Sequence, residues 1–311
     1  MYLISVIICT YNRANILSET LESWLSIQNA GPDVELIIVD NNSTDRTLQV
    51  VESFRPSCPS RLYYVCEKNA GLSNARNRGI EESSGDIVAF VDDDIYFEKS
   101  WLNEILKAFD DNPEISCVGG KSVPKFEAAI PDWITEDIHK QYGSTGSGKQ
   151  DRLMIFPEHP FGLNMAFRKY VFSQVGNFNP ILGRVKGCLL SNEELDIFYR
   201  VKKANLLVYY ASKAILYHRI PRDRVDKSWL LKRYYWQGIS DVIADQIFNQ
   251  RSKYFFCKKA VGILRQLIFP LGIISPLKNF KYYISISFRN KLLTYKLFGM
   301  LKQYIFMFFS L

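Results

Sequence analysis

This 311-residue sequence has no long charge-free apolar run and no closely paired cysteines. The stretches that come nearest to a membrane span, 260–277 and 292–311, are broken by Arg265, Gln266, Pro270 and Pro276 and by Lys296, Lys302 and Gln303. A span needs about 20 apolar residues with few charges, so neither is read as one. Six cysteines (Cys9, Cys58, Cys66, Cys117, Cys188, Cys257) lie far apart with no C-x-x-C pair. This excludes a dense disulfide scaffold and a zinc ribbon and suits a reducing compartment. With 17 Gly, 12 Pro and 47% hydrophobic residues, the chain is neither a low-complexity fibre nor disordered. The apolar start Met1–Cys9 lacks a basic leader segment and stops at Asn12-Arg13. It reads as a buried first strand, and the protein is expected in the cytosol or on the cytoplasmic face of a membrane.

Acidic residues are missing from the whole carboxyl-terminal fifth. Residues 1–212 carry 21 Lys and Arg against 28 Asp and Glu, whereas residues 213–311 carry 18 against 4. After Asp245 come 66 residues with 11 Lys or Arg and no carboxylate. Such a tail suits nucleic acid or an anionic membrane surface. No nucleic-acid-binding motif accompanies the charge, so no nucleic-acid partner is expected. Basic, aromatic, amphipathic helices over 226–311, lying in the membrane interface, fit better. Each basic residue there adds about 1 kcal/mol of attraction to anionic lipid. The plainer alternative is a helical subdomain packed on the sheet or on a second subunit, so an oligomer is compatible with the sequence.

What is present is alternation. Leu3–Cys9, Val34–Val39 (VELIIV), Leu62–Val65 and Ile87–Val91 (IVAFV) read as buried strands. Between them, helical spacing runs over 14–28 (Leu17, Leu21, Trp24), Thr47–Phe54 and Ser73–Ser83, and again from Trp101 to Phe109. The pattern predicts βαβ units in an α/β fold with a mainly parallel central sheet and ligand-binding loops at the strands' carboxyl ends. Gly119–Pro124 reads as an edge strand, 191–204 as a helix and Leu206–Tyr217 as a strand. Residues 125–160 have little periodicity and read as a lid or binding loop. Within them, Gly143–Lys149 fits most of a phosphate-loop pattern. Gln150 stands where the metal-binding hydroxyl is required, and no strand precedes the stretch, so a phosphate loop is rejected.

Two strand ends carry carboxylates: Asp40 after the second strand, and Asp92-Asp93-Asp94 after the fourth. Three adjacent carboxylates repel one another unless a cation or donors offset them. A partly hydrated Mg²⁺ or Mn²⁺ shared with substrate phosphates is the natural solution. A solvated acidic turn is the plainer reading, but the position after IVAFV favours a site.

Ser5–Arg13, Ile37–Asp45 and Asn69–Gly79, closing on Phe90–Asp94, together resemble glycosyltransferase family 2 over residues 3–220. The resemblance implies a GT-A fold, a Rossmann-like αβα sandwich, and an inverting transferase using a nucleotide-diphosphate sugar, UDP-linked in this reading. It implies a catalytic domain over 1–225, with a donor half to about 118 and an acceptor half from about 119. Thr10 and Tyr11, with Asn12 and Arg13 beside them, would line the base and ribose pocket. Asp40 would accept from the base or ribose, and Arg76 would reach the base or diphosphate. Asp92 would hold the ribose. Asp94, with Asp93 or Asp92 and with His218 as an extra ligand, would bind the metal. Gly162 and Asn164 match the acceptor-side loop. Ser191–Asp196 matches the helix-start motif whose carboxylate takes the acceptor's proton. That base is Glu194 by alignment to the second acid, with Glu193 left open. The family more often has Gly-Glu-Asp where this chain has Asn192-Glu193-Glu194. Arginines near His218 would clamp the leaving diphosphate. The expected acceptor is a glycan or polyprenyl-linked glycan, in polysaccharide or glycoconjugate assembly. Single-sugar addition is expected, since no Gln-x-x-Arg-Trp run is present. Two rivals are a sugar-nucleotide pyrophosphorylase, which would need a Gly-rich loop where Thr10–Arg13 stands, and a non-catalytic membrane-bound adaptor. Intact Asp92, Asp94 and Glu194 speak against the adaptor.

Overall fold

The computed structural model describes residues 3–31, 33–146, 148, 150–268 and 288–310. These residues divide into two compact units: Met1–Ala129 with Ile134–Ile181 and Glu193–Pro221, and Ile130–Trp133 with Leu182–Asn192 and Arg222–Leu311. Residues 269–277 of the first interrupted apolar stretch lie outside the described residues. So do Ser147 and Lys149 of the rejected phosphate loop.

The first unit begins with β1 (Ile4–Thr10), α1 (Ala14–Trp24), β2 (Val34–Asp40), α2 (Thr47–Phe54), β3 (Arg61–Cys66), α3 (Leu72–Glu82) and β4 (Ile87–Asp92). It continues through β5 (Ile95–Phe97), α4 (Trp101–Asp111), β6 (Ile115–Phe126), α5 (Glu136–His139), β7 (Arg152–Leu153), β8 (Asn164–Arg168), α6 (Tyr170–Val175), α7 (Glu193–Lys203) and β9 (Leu207–Ile220). Strands β3-β2-β1-β4 are parallel, and the sheet continues as β8-β6-β9-β5, with β8 antiparallel to both its neighbours.

Successive side chains of a strand point to opposite faces, and here both faces are apolar. Ile4, Val6 and Ile8 of β1 join Leu17, Leu21 and Trp24 of α1 in one core layer. Ile7 joins Ala75 and Ile80 of α3 in the other. The strand pattern therefore produces helices on both faces of one sheet. Register pairs Thr10 with Asp40, and Cys9 with Asp92. The carboxyl ends of β1, β2 and β4 thus open on one sheet edge.

The expected edge strand Gly119–Pro124 lies inside β6, which runs between β8 and β9. Pairing with β8 stops at Gly119, while pairing with β9 continues through Pro124 to Phe126. Pro124 therefore sits where β6 has only one neighbour, the setting in which a missing N–H costs no ladder bond.

The second unit contains α8 (Lys227–Asn249), α9 (Lys253–Ile268) and α10 (Phe288–Ser310). Val242, Phe256, Ile263 and Tyr304 form its centre. α8 and α10 cross at two glycines. A Cβ on Gly238 would lie 2.1 Å from the Lys296 carbonyl oxygen, and one on Gly299 would lie 1.9 Å from that of Tyr235. Only Gly permits this backbone approach. Leu182 and Leu190 pack with Ile239 and Ile243, which is why that segment joins the helical unit. Among the described residues, no helix is long and apolar enough to cross a membrane.

Candidate active site

The site is built where β1, β2 and β4 end. The loops after β1 and β2 are tied together: the Asn12 N–H donates to Ser43 Oγ at 2.7 Å, and Asn12 Oδ1 accepts from the Thr44 N–H at 2.7 Å. Asp45 Oδ2 accepts from the Ala14 N–H, the first residue of α1. Asn12 adopts φ 52°, a left-handed turn conformation that Asn tolerates. Asp40 is buried and accepts from the Ser43 N–H at 2.9 Å and from the Tyr64 hydroxyl at 2.6 Å. Tyr64, from β3, escaped the sequence reading. Its β3 spacing marks a strand residue but names no partner on β2.

The aspartates at the end of β4 divide by role. Asp93 and Asp94 are buried, and the Arg13 guanidinium forks across them: one amino group pairs with Asp93 and the other reaches Asp94 Oδ2 at 2.8 Å. Thr10 Oγ1 donates to Asp93 Oδ2 at 2.7 Å. Burial pushes the Asp93 carboxyl up to about 6 against the pull of Arg13. Asp92 is the more open of the three, and its Oδ1 lies 3.8 Å from Arg76 Nη2. Part of the compensating charge expected from a metal is thus supplied by an internal arginine. Tyr11 follows Thr10 at the end of β1 and is half-buried. Cys9, next to Asp92 across the β1–β4 pair, has its thiol pushed up to about 12 by burial, so it is no nucleophile.

His218 Nδ1 lies 2.6 Å from the Tyr142 carbonyl oxygen, which fixes the ring proton there. Nε2 faces Asp94 Oδ1 at 3.3 Å. An imidazole nitrogen and a carboxylate oxygen are both donor types that a divalent ion accepts. Among the described residues, no group of three or more His, Cys, Asp or Glu side chains is gathered as a metal site. One or two carboxylates plus substrate phosphates are the usual holders of such an ion, and Asp94 with His218 fits that arrangement.

The second acidic group opens α7. Arg76, on α3 and only 2% exposed, places Nη1 3.1 Å from Glu193 Oε1 and 3.9 Å from Glu194 Oε1. The Phe178 ring lies 5.4 Å below its guanidinium. The Gly162 N–H donates to Glu194 Oε1 at 3.1 Å. Glu194 is the more open acid, with 19% of its side chain exposed against 4% for Glu193. Burial, and then the charge of Glu194, push Glu193 up to about 8. Burial also opposes ionisation of Glu194, but the positive charge of Arg76, together with hydrogen bonds to the carboxylate and the charge of His159, holds that carboxyl below the usual range. One glutamate keeps its proton at neutral pH while the other is a carboxylate, the division of labour found where acid and base share a site.

A stability test follows from this split. Glu193 keeps its proton up to about pH 8, whereas an unfolded glutamate releases it near its ordinary value of 4.5. Unfolding in that window sheds a proton. The stability this group contributes is whole below 4.5 and is lost as the pH rises toward 8. Urea unfolding at pH 5 and pH 8 is expected to show Glu193→Gln gaining on the parent protein with rising pH, by at most ~1.4 kcal/mol per pH unit. Parallel pH dependences would refute the assignment.

Other expected residues lie elsewhere or have their bonds committed. Asn164 is buried: Oδ1 accepts from Trp101 Nε1 at 2.9 Å, and Nδ2 donates to the carbonyls of Lys121 and Ala214. It braces the sheet where the β6–β9 register shifts between Gly120 and Lys121. Arg219 pairs with Glu19 and Glu127. Arg222 and Arg224 belong to the second unit. Phe178 and the Tyr142 carbonyl also went unread, since neither an apolar side chain nor a backbone oxygen announces a long-range partner in sequence.

Comparison with known proteins shows what the chain is similar to. A family model described as Glycosyl transferase family 2 matches residues 5–176. The chain is 29% identical over 252 residues to the glucosyl-dolichyl phosphate glucuronosyltransferase of Haloferax volcanii, covering 80% of this chain and 79% of that one. It is 26% identical over 250 residues to the succinoglycan biosynthesis protein ExoM of Rhizobium meliloti, covering 76% and 72%. The mannosyltransferase PcManGT from Pyrobaculum calidifontis, solved with GDP-Man and Mn²⁺, matches with a TM-score of 0.63 at 14% identity, covering 98% of this chain and 88% of that one. At that identity the likeness is one of fold.

Proposed function

The chain belongs to glycosyltransferase family 2, with its GT-A-like fold and nucleotide-sugar donors, and from that premise we propose that it inverts configuration while moving one sugar from a UDP-sugar to a hydroxyl of a lipid-linked glycan. The carrying observation is the reach of Arg76. One buried guanidinium lies within 4.0 Å of Asp92, Glu193 and Glu194, so the strand-tip aspartates and the acid pair form one constellation. Glu194 takes the proton of the acceptor hydroxyl. The acceptor oxygen bonds to the anomeric carbon as the bond to the diphosphate oxygen breaks, and that electron pair leaves with the nucleoside diphosphate. Thr10, Tyr11 and Asp40 line the nucleotide end. Asp94 and His218, with Asp92, would hold a divalent ion, Mn²⁺ or Mg²⁺, which when bound supplies positive charge to the diphosphate.

The acceptor class is supported by the Haloferax relative, whose name gives a glucosyl-dolichyl phosphate, and by the basic balance of residues 213–311. Exposed Leu293, Phe298, Phe306 and Phe309 on α10 give the second unit apolar side chains to set against a membrane's cytoplasmic face. The test is a panel of UDP- and GDP-sugars with Mn²⁺ or with a chelator. Release of UDP from one UDP-sugar, lost with the chelator, is expected. Release from GDP-sugars alone, or without metal, would overturn the donor or metal part. Sedimentation with phosphatidylglycerol vesicles, absent with phosphatidylcholine vesicles, checks the membrane part.

A further inference from the structure

The sequence pattern sends Arg76 to the donor's base or diphosphate, but its surroundings point another way. Arg76 is almost fully buried and lies on the Phe178 ring. Its nearest polar partner is Glu193. The space beside it is closed by Gly162. A Cβ there would stand 2.2 Å from Arg76 Nη2 and 2.3 Å from Glu194 Oε1. Gly162 is therefore the wall against which guanidinium and carboxylate are both seated, and its N–H completes the seat with a bond to Glu194. The absence of a side chain at 162 is a requirement of the base, in a loop that the family resemblance puts on the acceptor side.

We infer that Arg76 is a positioning residue for the base and makes no contact with the donor nucleotide: wedged between Phe178 and Gly162, it fixes Glu194 in the orientation that meets the acceptor hydroxyl. The inference rests on Glu194 being the base. A planar fork can hold two carboxylates at set angles, which a lysine ammonium does only as a point charge. The charged groups facing Glu194 are Arg76, Glu193 and His159, with Asp92 on the far side of the guanidinium. Arg76 is the nearest fixed cation among them, so its loss raises the pH at which Glu194 becomes a carboxylate.

Three variants test this on the full chain, using UDP or GDP with Mn²⁺ as the binding probe and the donor found in the panel for turnover. Arg76→Gln is expected to lower kcat by about 100-fold, the scale of a misplaced catalytic group. The nucleotide Kd should stay within about twofold, and the rising limb of the kcat pH profile should move up by about one unit. Arg76→Lys should restore the limb but only part of kcat. Gly162→Ala should repeat the Arg76→Gln pattern, and it serves if the buried exchange prevents folding. A Kd raised about tenfold or more in Arg76→Gln, with the limb unmoved, makes Arg76 a nucleotide contact and overturns the inference. Full turnover in Glu194→Gln defeats the base assignment instead. Turnover lost in Glu194→Gln but kept in the Arg76 and Gly162 variants defeats only the positioning role.

Discussion

Glu194→Gln is expected to bind donor as the parent does and to lose transfer, with kcat down by about 10²- to 10⁴-fold, the range of a positioned general base. The exchange is nearly isosteric. Its amide oxygen can still accept from the Gly162 N–H, so the loop before β8 keeps its anchor. What disappears is the negative charge that receives the acceptor's proton. In the parent the neighbouring Glu193 keeps its proton at neutral pH, held on by burial and by the charge of Glu194. Calorimetry of nucleotide binding alongside steady-state turnover separates the two quantities. Turnover equal to the parent's would move the base to Glu193 or away from α7 altogether.

The second large effect is expected at Asp94. Asp94→Ala removes the partner of Arg13 Nη2 and the group facing His218 Nε2. The metal-dependent part of UDP affinity should fall by about 100-fold or more, since losing even an outer-shell partner of a metal site costs about 10- to 100-fold. UDP titrations with Mn²⁺ and with chelator, on parent and variant, give the result. The parent should differ strongly between the two conditions and the variant hardly at all. Equal binding by the parent with and without metal would remove the ion from the mechanism. A thermal melt accompanies the titration, because Arg13 loses one of its two paired aspartates.

Much of the donor side is legible along the chain because its signals are local. Strand period and helix period are properties of ten residues at a time, so Thr47–Phe54 appears as a helix both in the spacing and in the fold. The same holds for Asp92–Asp94: an apolar run that ends in carboxylates places acids at a strand tip wherever the strand lies in a parallel sheet. Gly71, which opens α3 at φ 130°, is part of a contiguous motif and is equally readable. The acid pair of α7 is legible as a pair, but its protonation is not, since nothing within 191–196 says which carboxyl will be buried beside a guanidinium.

The sequence by itself determined an α/β sheet with carboxylates at the carboxyl ends of its strands, an acidic helix start downstream and a basic, aromatic tail. Each follows from periodicity or composition over short stretches. Only the tertiary structure decided that Arg13 serves Asp93 and Asp94 from 80 residues away, that Arg76 meets Glu193 across 117 residues, and that Asn164 bonds Lys121 and Ala214 across the sheet. Such partners are selected by chain topology and by competition for burial. A charged side chain carries no record of which opposite charge will reach it once water is excluded.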